Sequence, residues 1–194
     1  VTTMTIWCVG RNYVNHAKEF GNPVPKSPII FIKSEHCLNT TDSISLPTWS
    51  HEVHYECELA FKLDSDLKPT SVALALDLTA RDKQKELKDK GHPWALAKSF
   101  HGACPISSFE SIEQNQLQNI SFEFKVHGQT KQIGNSSKML FSVEHLIKYI
   151  KQYYPLTPGD ILLSGTPEGV GPLSSGDLLD GTLNGLSRAN WSVT

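Results

Sequence analysis

The segment His54-Tyr55-Glu56-Cys57-Glu58-Leu59-Ala60-Phe61 constrains the fold of this chain more than any other. Read as a strand, it alternates: Tyr55, Cys57, Leu59 and Phe61 share one face, and Glu56 and Glu58 share the other. Two like charges so placed repel, and they repel more if that face is buried. A divalent cation between them removes the conflict. Oxygen-only ligation suits a hard ion such as Mg²⁺, Mn²⁺ or Ca²⁺ rather than zinc. A half-exposed strand with both glutamates in water has the same pattern. A third acid favours the buried reading, because the apolar run Ala73-Leu74-Ala75-Leu76 ends in Asp77. A carboxylate attracted to a helix start fits that position too.

The 194 residues, 39% hydrophobic and 20% charged, have the proportions of a globular protein with enough chain to bury its own core. A net charge of -2 offers no basic field for nucleic acid or an anionic membrane. The longest purely apolar stretch, Ile29-Ile30-Phe31-Ile32, is far too short to span a bilayer. The opening Val1-Thr2-Thr3-Met4 lacks the pattern of an export signal. Cys8, Cys37, Cys57 and Cys104 are scattered, with no C-x-x-C pair, which argues against structural zinc and for reduced, buried thiols in a cytoplasmic protein.

No linker or repeat divides the chain, so a single domain over residues 1–194 is expected. Strand signals dominate. Ile29 to Lys33 is one short run, and Ile161-Leu162-Leu163 is another. Phe122, Phe124 and Val126 alternate with polar residues before His127-Gly128, which predicts a hairpin, and Asn184-Gly185 marks a second tight turn. Two helices are predicted. One starts near Thr79, where Thr79-x-x-Asp82 has the form of a cap, and stops at Gly91; the other sets Val143, Leu146, Ile147 and Ile150 at helical spacing before Pro155. The fold class is therefore α+β, built on a mixed, curled sheet.

Five collinear segments carry a family resemblance. They are Gly10-Arg11-Asn12-Tyr13-x-x-His16, Tyr55-Glu56-x-Glu58-Leu59, Asp77-x-Thr79-Ala80-Arg81-Asp82, Leu96-Ala97-Lys98-Ser99-Phe100 and Gly165-Thr166-Pro167-x-Gly169-Val170-Gly171. Together they resemble the fumarylacetoacetate hydrolase family from Gly10 to about Gly185. The likeness is to its small members of the acylpyruvate hydrolase and oxaloacetate decarboxylase type, and to the homoprotocatechuate-pathway isomerase/decarboxylase. The resemblance implies a mixed β-roll or barrel core, a homodimer, and Mg²⁺ or Mn²⁺ held by Glu56, Glu58 and Asp77. Ser164, where a threonine often stands, is a mild departure that keeps the hydroxyl.

It also implies a small 2-oxo acid as substrate. Acylpyruvate C–C hydrolysis, oxaloacetate decarboxylation and keto–enol isomerisation all need an enolate stabilised by a Lewis acid, and so sequence separates them poorly. A binding module that kept the fold and lost the chemistry is the non-enzymatic alternative. Lys98, among apolar residues, either snorkels to the surface or is held beside the anionic site; the resemblance implies the second, as a cation that neutralises substrate charge or moves a proton. Arg81 and Gln84, three apart on the first helix, face one cleft, although Arg81 could equally pair with Asp82. His16 and Glu19, also three apart, would form a general-base dyad on a closing lid; a surface histidine is the plain alternative. Gly165 offers a backbone N–H and Thr166 a hydroxyl to a substrate carboxylate, or else the segment is only a tight turn. Arg11 and Tyr13 are candidates for the distal part of the substrate. His92, His101, His127 and His145 are read as surface or structural residues.

Overall fold

Strand propensity and the turn residues divide the chain into short extended pieces. The computed structural model describes residues 4–19, 21 and 23–194. In chain order the strands are β1 (Thr5–Gly10), β2 (Ile29–Ser34), β3 (Leu38–Asn39), β4 (Ser43–Ile44), β5 (Val53–Tyr55), β6 (Cys57–Leu63), β7 (Pro69–Leu76) and β8 (Thr79–Ala80). They continue as β9 (Cys104–Pro105), β10 (Glu110–Ser111), β11 (Ser121–Val126), β12 (Gln129–Asn135), β13 (Ile161–Leu163), β14 (Gly171–Pro172), β15 (Leu178–Leu183) and β16 (Leu186–Val193). Among the described residues four α-helices interrupt them: α1 (Val14–Glu19), α2 (Arg81–Asp89), α3 (Ala95–Lys98) and α4 (Val143–Tyr153).

The main sheet has the order β10-β7-β6-β13-β1-β2 and is mixed, because β1 and β13 run parallel while the other neighbours are antiparallel. A second sheet runs β12-β11-β15-β16-β4, and a small third one β14-β5-β8. The α+β architecture is as expected, but the sheets stay open and none closes into a barrel. The predicted hairpin at His127-Gly128 forms, and the tight turn expected at Asn184-Gly185 forms and joins β15 to β16 as a second hairpin. His127 and Gly128 have φ of 49° and 73°, and Asn184 and Gly185 have 48° and 79°, the left-handed pairs that match strand twist in a two-residue turn. One hydrophobic cluster joins the two large sheets, with Val143, Leu146 and Ile150 of α4 packed into it.

Two local readings are corrected. The strand through the glutamates breaks at Glu56: β5 pairs with β8 and β14, whereas β6 pairs with β7 and β13. From Cys57 to Phe61 every side chain is buried, so β6 is covered on both faces and Glu58 is not on a solvated edge; Glu56, at the break, is buried too. Thr79 does not cap α2 either. It belongs to β8, opposite His54, and the helix starts at Arg81 with no side-chain cap on its first turn. Strand pairing with β5 outcompetes the local capping pattern there.

A second buried acid fixes the far end of the main sheet. Asp160, fully buried, accepts from Thr5 N (2.8 Å), Trp7 Nε1 (2.8 Å), Thr157 N (2.9 Å) and Thr157 Oγ1 (3.1 Å). These bonds tie the turn before β13 to β1.

Candidate active site

Strand register brings the three acids together. Cys57 pairs with Leu76 and Glu58 with Ala75, so Asp77 emerges beside Glu56, and the Asp77 N–H donates to the Glu56 carbonyl at 2.8 Å. Glu56, Glu58 and Asp77 are buried, and each offers an oxygen within 4.8 Å of the others'. The helix-start reading of Asp77 is excluded, because the helix begins later and the carboxylate points into the cluster.

Cations from three other elements meet these acids. Lys98 Nζ, at the end of α3, donates to Glu56 Oε2 (2.9 Å), Asp77 Oδ2 (2.7 Å) and Thr79 Oγ1 (2.7 Å). Arg81 Nη2 reaches Glu56 Oε1 at 2.6 Å, and its Nη1 donates to Gln84 Oε1 at 2.8 Å. Arg81 therefore does not pair with Asp82, which instead accepts from Ser50 Oγ and His51 N. Lys33 Nζ, fully buried, lies 2.8 Å from Asp77 Oδ1 and also bonds the carbonyls of Leu78 and Lys98.

The charge balance is uneven. Burial pushes the Glu56 carboxyl up, but Lys98 and Arg81 overrule it and hold its pKa well below the usual range. Lys98 would be lowered by burial, yet the Asp77 and Glu56 charges keep it above the usual lysine range. Glu58 is the exception. Burial, then Asp77 and Glu56, push it far up, and the Gly165 N–H at 2.7 Å with the more distant Lys98 only partly offsets them. A buried carboxylate without a cation of its own, in an oxygen-only trio, fits a hard divalent ion.

One pocket gathers Arg11, His16, Glu56, Glu58, Arg81, Gln84, Lys98 and Thr166, with Ile29, Phe31, Lys88 and Trp94 among its other walls. His16 Nδ1 lies 3.3 Å from Glu19 Oε2 on α1. Glu19 Oε1 in turn accepts from Gly169 N (3.1 Å), and Asn15 Nδ2 donates to Glu168 (3.0 Å), so α1 is latched onto the turn after β13.

Of three expected substrate contacts, Tyr13 and Gly165 are engaged elsewhere and Thr166 lines the pocket. Tyr13 lies outside this pocket, buried, with its hydroxyl 3.3 Å from the Asn135 carbonyl. The Gly165 N–H is spent on Glu58 and unavailable to a substrate. Its φ of 97° and the 2.7 Å from a built Cβ to Asn12 Cβ explain why glycine stands there. Thr166 lines the pocket, but its hydroxyl donates to Cys57 O (2.8 Å) and accepts from Gln132 Nε2 (2.8 Å), which makes it a tether. Among the histidines, His127 pairs with Asp177 at the surface and His145 stacks on Phe141, away from the pocket.

Sequence reasoning missed Lys33, Lys88, Gln132 and Asn12. Gln132 holds Cys57 N, Thr166 and Pro167 O, and Asn12 holds Ser164 O and both backbone groups of Phe141. Only Lys88 left a local signal, at the seventh position beyond Arg81 on one helix stripe.

The family description Fumarylacetoacetate (FAA) hydrolase C-terminal matches residues 5–194. The chain belongs to the fumarylacetoacetate hydrolase family. It is an enzyme of that family. It is 40% identical to the mitochondrial oxaloacetate decarboxylase of Dictyostelium discoideum, over 95% of this chain and 91% of that one. It is 38% identical to oxaloacetate tautomerase YcgM of Escherichia coli, over 93% and 88%. Fumarylpyruvate hydrolase from Pseudomonas aeruginosa, solved in complex with Mn²⁺ and pyruvate, superposes with a TM-score of 0.91 at 28% identity, covering 98% of this chain and 89% of its own. No helix among the described residues is long and apolar enough to cross a membrane, and all four cysteines are free and buried.

Proposed function

We propose that this chain acts on small 2-oxo acids with Mg²⁺ or Mn²⁺ at Glu56, Glu58 and Asp77. The reaction is decarboxylation of oxaloacetate, with its tautomerisation, or C–C hydrolysis of an acylpyruvate. One observation carries the reading: three buried carboxylates converge, two of them, Glu56 and Glu58, lining a pocket that cations also line, and one of the three lacks a cation of its own. The relatives that decarboxylate or tautomerise oxaloacetate, and the fold relative solved with Mn²⁺ and pyruvate, support it. The bound ion supplies Lewis-acid stabilisation of the negative charge that develops on the substrate.

The protein's own groups do the rest. Lys98 and Arg81 hold Glu56 ionised and lend positive charge to the pocket where the substrate carboxylate enters. Gln84 is positioned by Arg81 and presents its amide to the same space. Glu19 fixes the His16 ring through Nδ1, so Nε2 is the atom that exchanges a proton with substrate C3 or an attacking water. With α1 latched on the turn at Gly169, bulk water is kept from the developing charge.

The assay is turnover of oxaloacetate and acetylpyruvate with Mg²⁺ or Mn²⁺, with and without EDTA. Chelator-sensitive turnover of either supports the reading; folded, metal-loaded protein that turns over neither rejects it. A homodimer, which the family resemblance implies, belongs to the same proposal and is read by light scattering. A cytoplasmic location is proposed on the four free thiols and is read by fractionation.

A further inference from the structure

Strand β2 is inside out at its end. Ile32 is 53% exposed, whereas its neighbour Lys33 is 0% exposed and is the single buried residue of the strand. A lysine is almost never fully buried without partners, and an isoleucine fills a buried position at far lower cost. Nor does Lys33 reach the substrate's space. Ile29 and Phe31, on the same strand face, are among the pocket's described walls, and Lys33 is not.

An ammonium has three N–H donors, and three oxygens from two segments surround this one. Lys33 Nζ lies 2.8 Å from Asp77 Oδ1, donates to the Leu78 carbonyl at 3.2 Å, and donates to the Lys98 carbonyl. The first two contacts hold Asp77 by its side chain and by the backbone of the next residue. The third holds α3. That helix is one turn of four residues with no side-chain cap, too short to keep its own place. Its last carbonyls have no partner within the helix, and Lys33 supplies one. β2 adds a second bond at the same point, from Ser99 Oγ to the Ile32 carbonyl at 2.7 Å. The Phe31 ring, its centre 5.0 Å from Lys98 Nζ, adds a third contact from the strand. Lys98 Nζ and Asp77 Oδ2 are 2.7 Å apart, so the two groups that Lys33 anchors are also the two that meet in the site.

We propose that Lys33 is a positioning residue, which from strand β2 sets the Asp77 carboxylate and the Lys98 ammonium against each other. Lys33 holds Oδ1, so Oδ2 is the oxygen presented to the site. It also draws the end of α3 to β2, so the Lys98 side chain enters between Asp77 and Glu56. One buried ammonium matches a carboxylate charge and two carbonyls at once, which no neutral side chain can do. The proposal rests on the reading above, in which Asp77 holds an ion and Lys98 serves the substrate.

The test measures Mn²⁺ affinity by calorimetry and kcat for oxaloacetate at saturating Mn²⁺, with folding checked by circular dichroism. Lys33→Met removes a positive charge beside the acids, which by Coulomb attraction alone tightens Mn²⁺ binding. Loss of placement acts in the opposite direction. Mn²⁺ should bind about tenfold to a hundredfold more weakly, and kcat should fall by a similar factor. Ser99→Ala loosens α3 and leaves every charge in place. It should lower kcat by about threefold, with Mn²⁺ affinity within about twofold of the wild type. Unchanged or tighter Mn²⁺ binding in folded Lys33→Met overturns the proposal, because the lysine is then a counter-charge or a structural residue. Unchanged kcat in Ser99→Ala overturns it as well, and that variant decides if Lys33→Met does not fold. Failure of the 2-oxo acid reading looks different: the wild type turns over neither oxaloacetate nor acetylpyruvate, while Lys33→Met still loses Mn²⁺ affinity.

Discussion

Asp160, in the turn before β13, and Glu58, in β6, are both buried carboxylates, 0% and 1% exposed, yet they sit in opposite circumstances. Asp160 receives four neutral donors from two segments. Glu58 receives one backbone N–H and faces two other carboxylates. A fully satisfied buried charge holds strands together; a poorly satisfied one is retained because something else completes it. The largest effect that follows is on activity. Glu58→Gln should cut kcat for oxaloacetate by about a thousandfold or more, since several kcal/mol of charge stabilisation depend on the ion. The same change should leave the metal-free melting temperature unchanged or raised, because it removes a repelled charge and keeps an acceptor for Gly165. A clear loss of metal-free stability in Glu58→Gln would break the contrast.

Asp160→Ala should behave in the opposite way. Its four donors would be left buried and unmatched, at a cost of about 3–5 kcal/mol in chemical denaturation. Where the variant is still folded, kcat should stay within about twofold of the wild type, because nothing near Asp160 lines the pocket. Unequal loss of kcat and stability in these two variants is the pattern that separates a functional from a structural acid.

pH sharpens the same comparison through metal binding. Glu58 has a raised pKa in the metal-free fold, so its neutral form persists as pH rises past the usual carboxylate range. The metal-free protein is then favoured by this group at low pH and loses that contribution as pH rises towards the raised value. An ion must displace that proton, so the melting-temperature gain from Mn²⁺ should grow with pH above about 4.5, the ordinary carboxylate value. A gain independent of pH between mildly acidic and neutral solution would contradict the account of Glu58.

What could be read from the sequence divides along the same line. Glu56, Glu58 and Asp77 were visible because an acid in an apolar run is a local anomaly, and His16 with Glu19 because one helical turn brings them together. The hairpins at His127-Gly128 and Asn184-Gly185 were equally local. Lys33 was not legible: it closes an apolar strand, and its partner Asp77 is brought near only by the sheet order. Gln132 and Asn12 bond across more than 70 residues, beyond any local pattern. Thr79 misled because a capping pattern and a strand-pairing position coincided, and tertiary pairing won. Tyr13 misled because it sits beside Arg11 in a motif while its ring turns to Asn135.

Asp82 tests the rule at its weakest, near the surface. It stands in the first turn of α2 and accepts from Ser50 Oγ (2.6 Å), Lys83 N (2.8 Å) and His51 N (3.2 Å). Slight burial pushes its carboxyl up, and the bonds from Ser50, His51 and Lys83 outweigh that and hold the pKa below the usual range. A depressed acid stabilises the fold fully above its unfolded pKa and ceases to do so as pH falls through the folded value. Asp82→Asn should therefore cost at most about 1 kcal/mol at neutral pH, since water screens a group this exposed. The gap from wild type should shrink once the solution is more acidic than the depressed pKa. A penalty as large as that of Asp160→Ala would mean that the number of donors, rather than burial, sets what a carboxylate contributes here. A gap that does not shrink on acidification would mean that the Asp82 charge contributes nothing and only its shape matters.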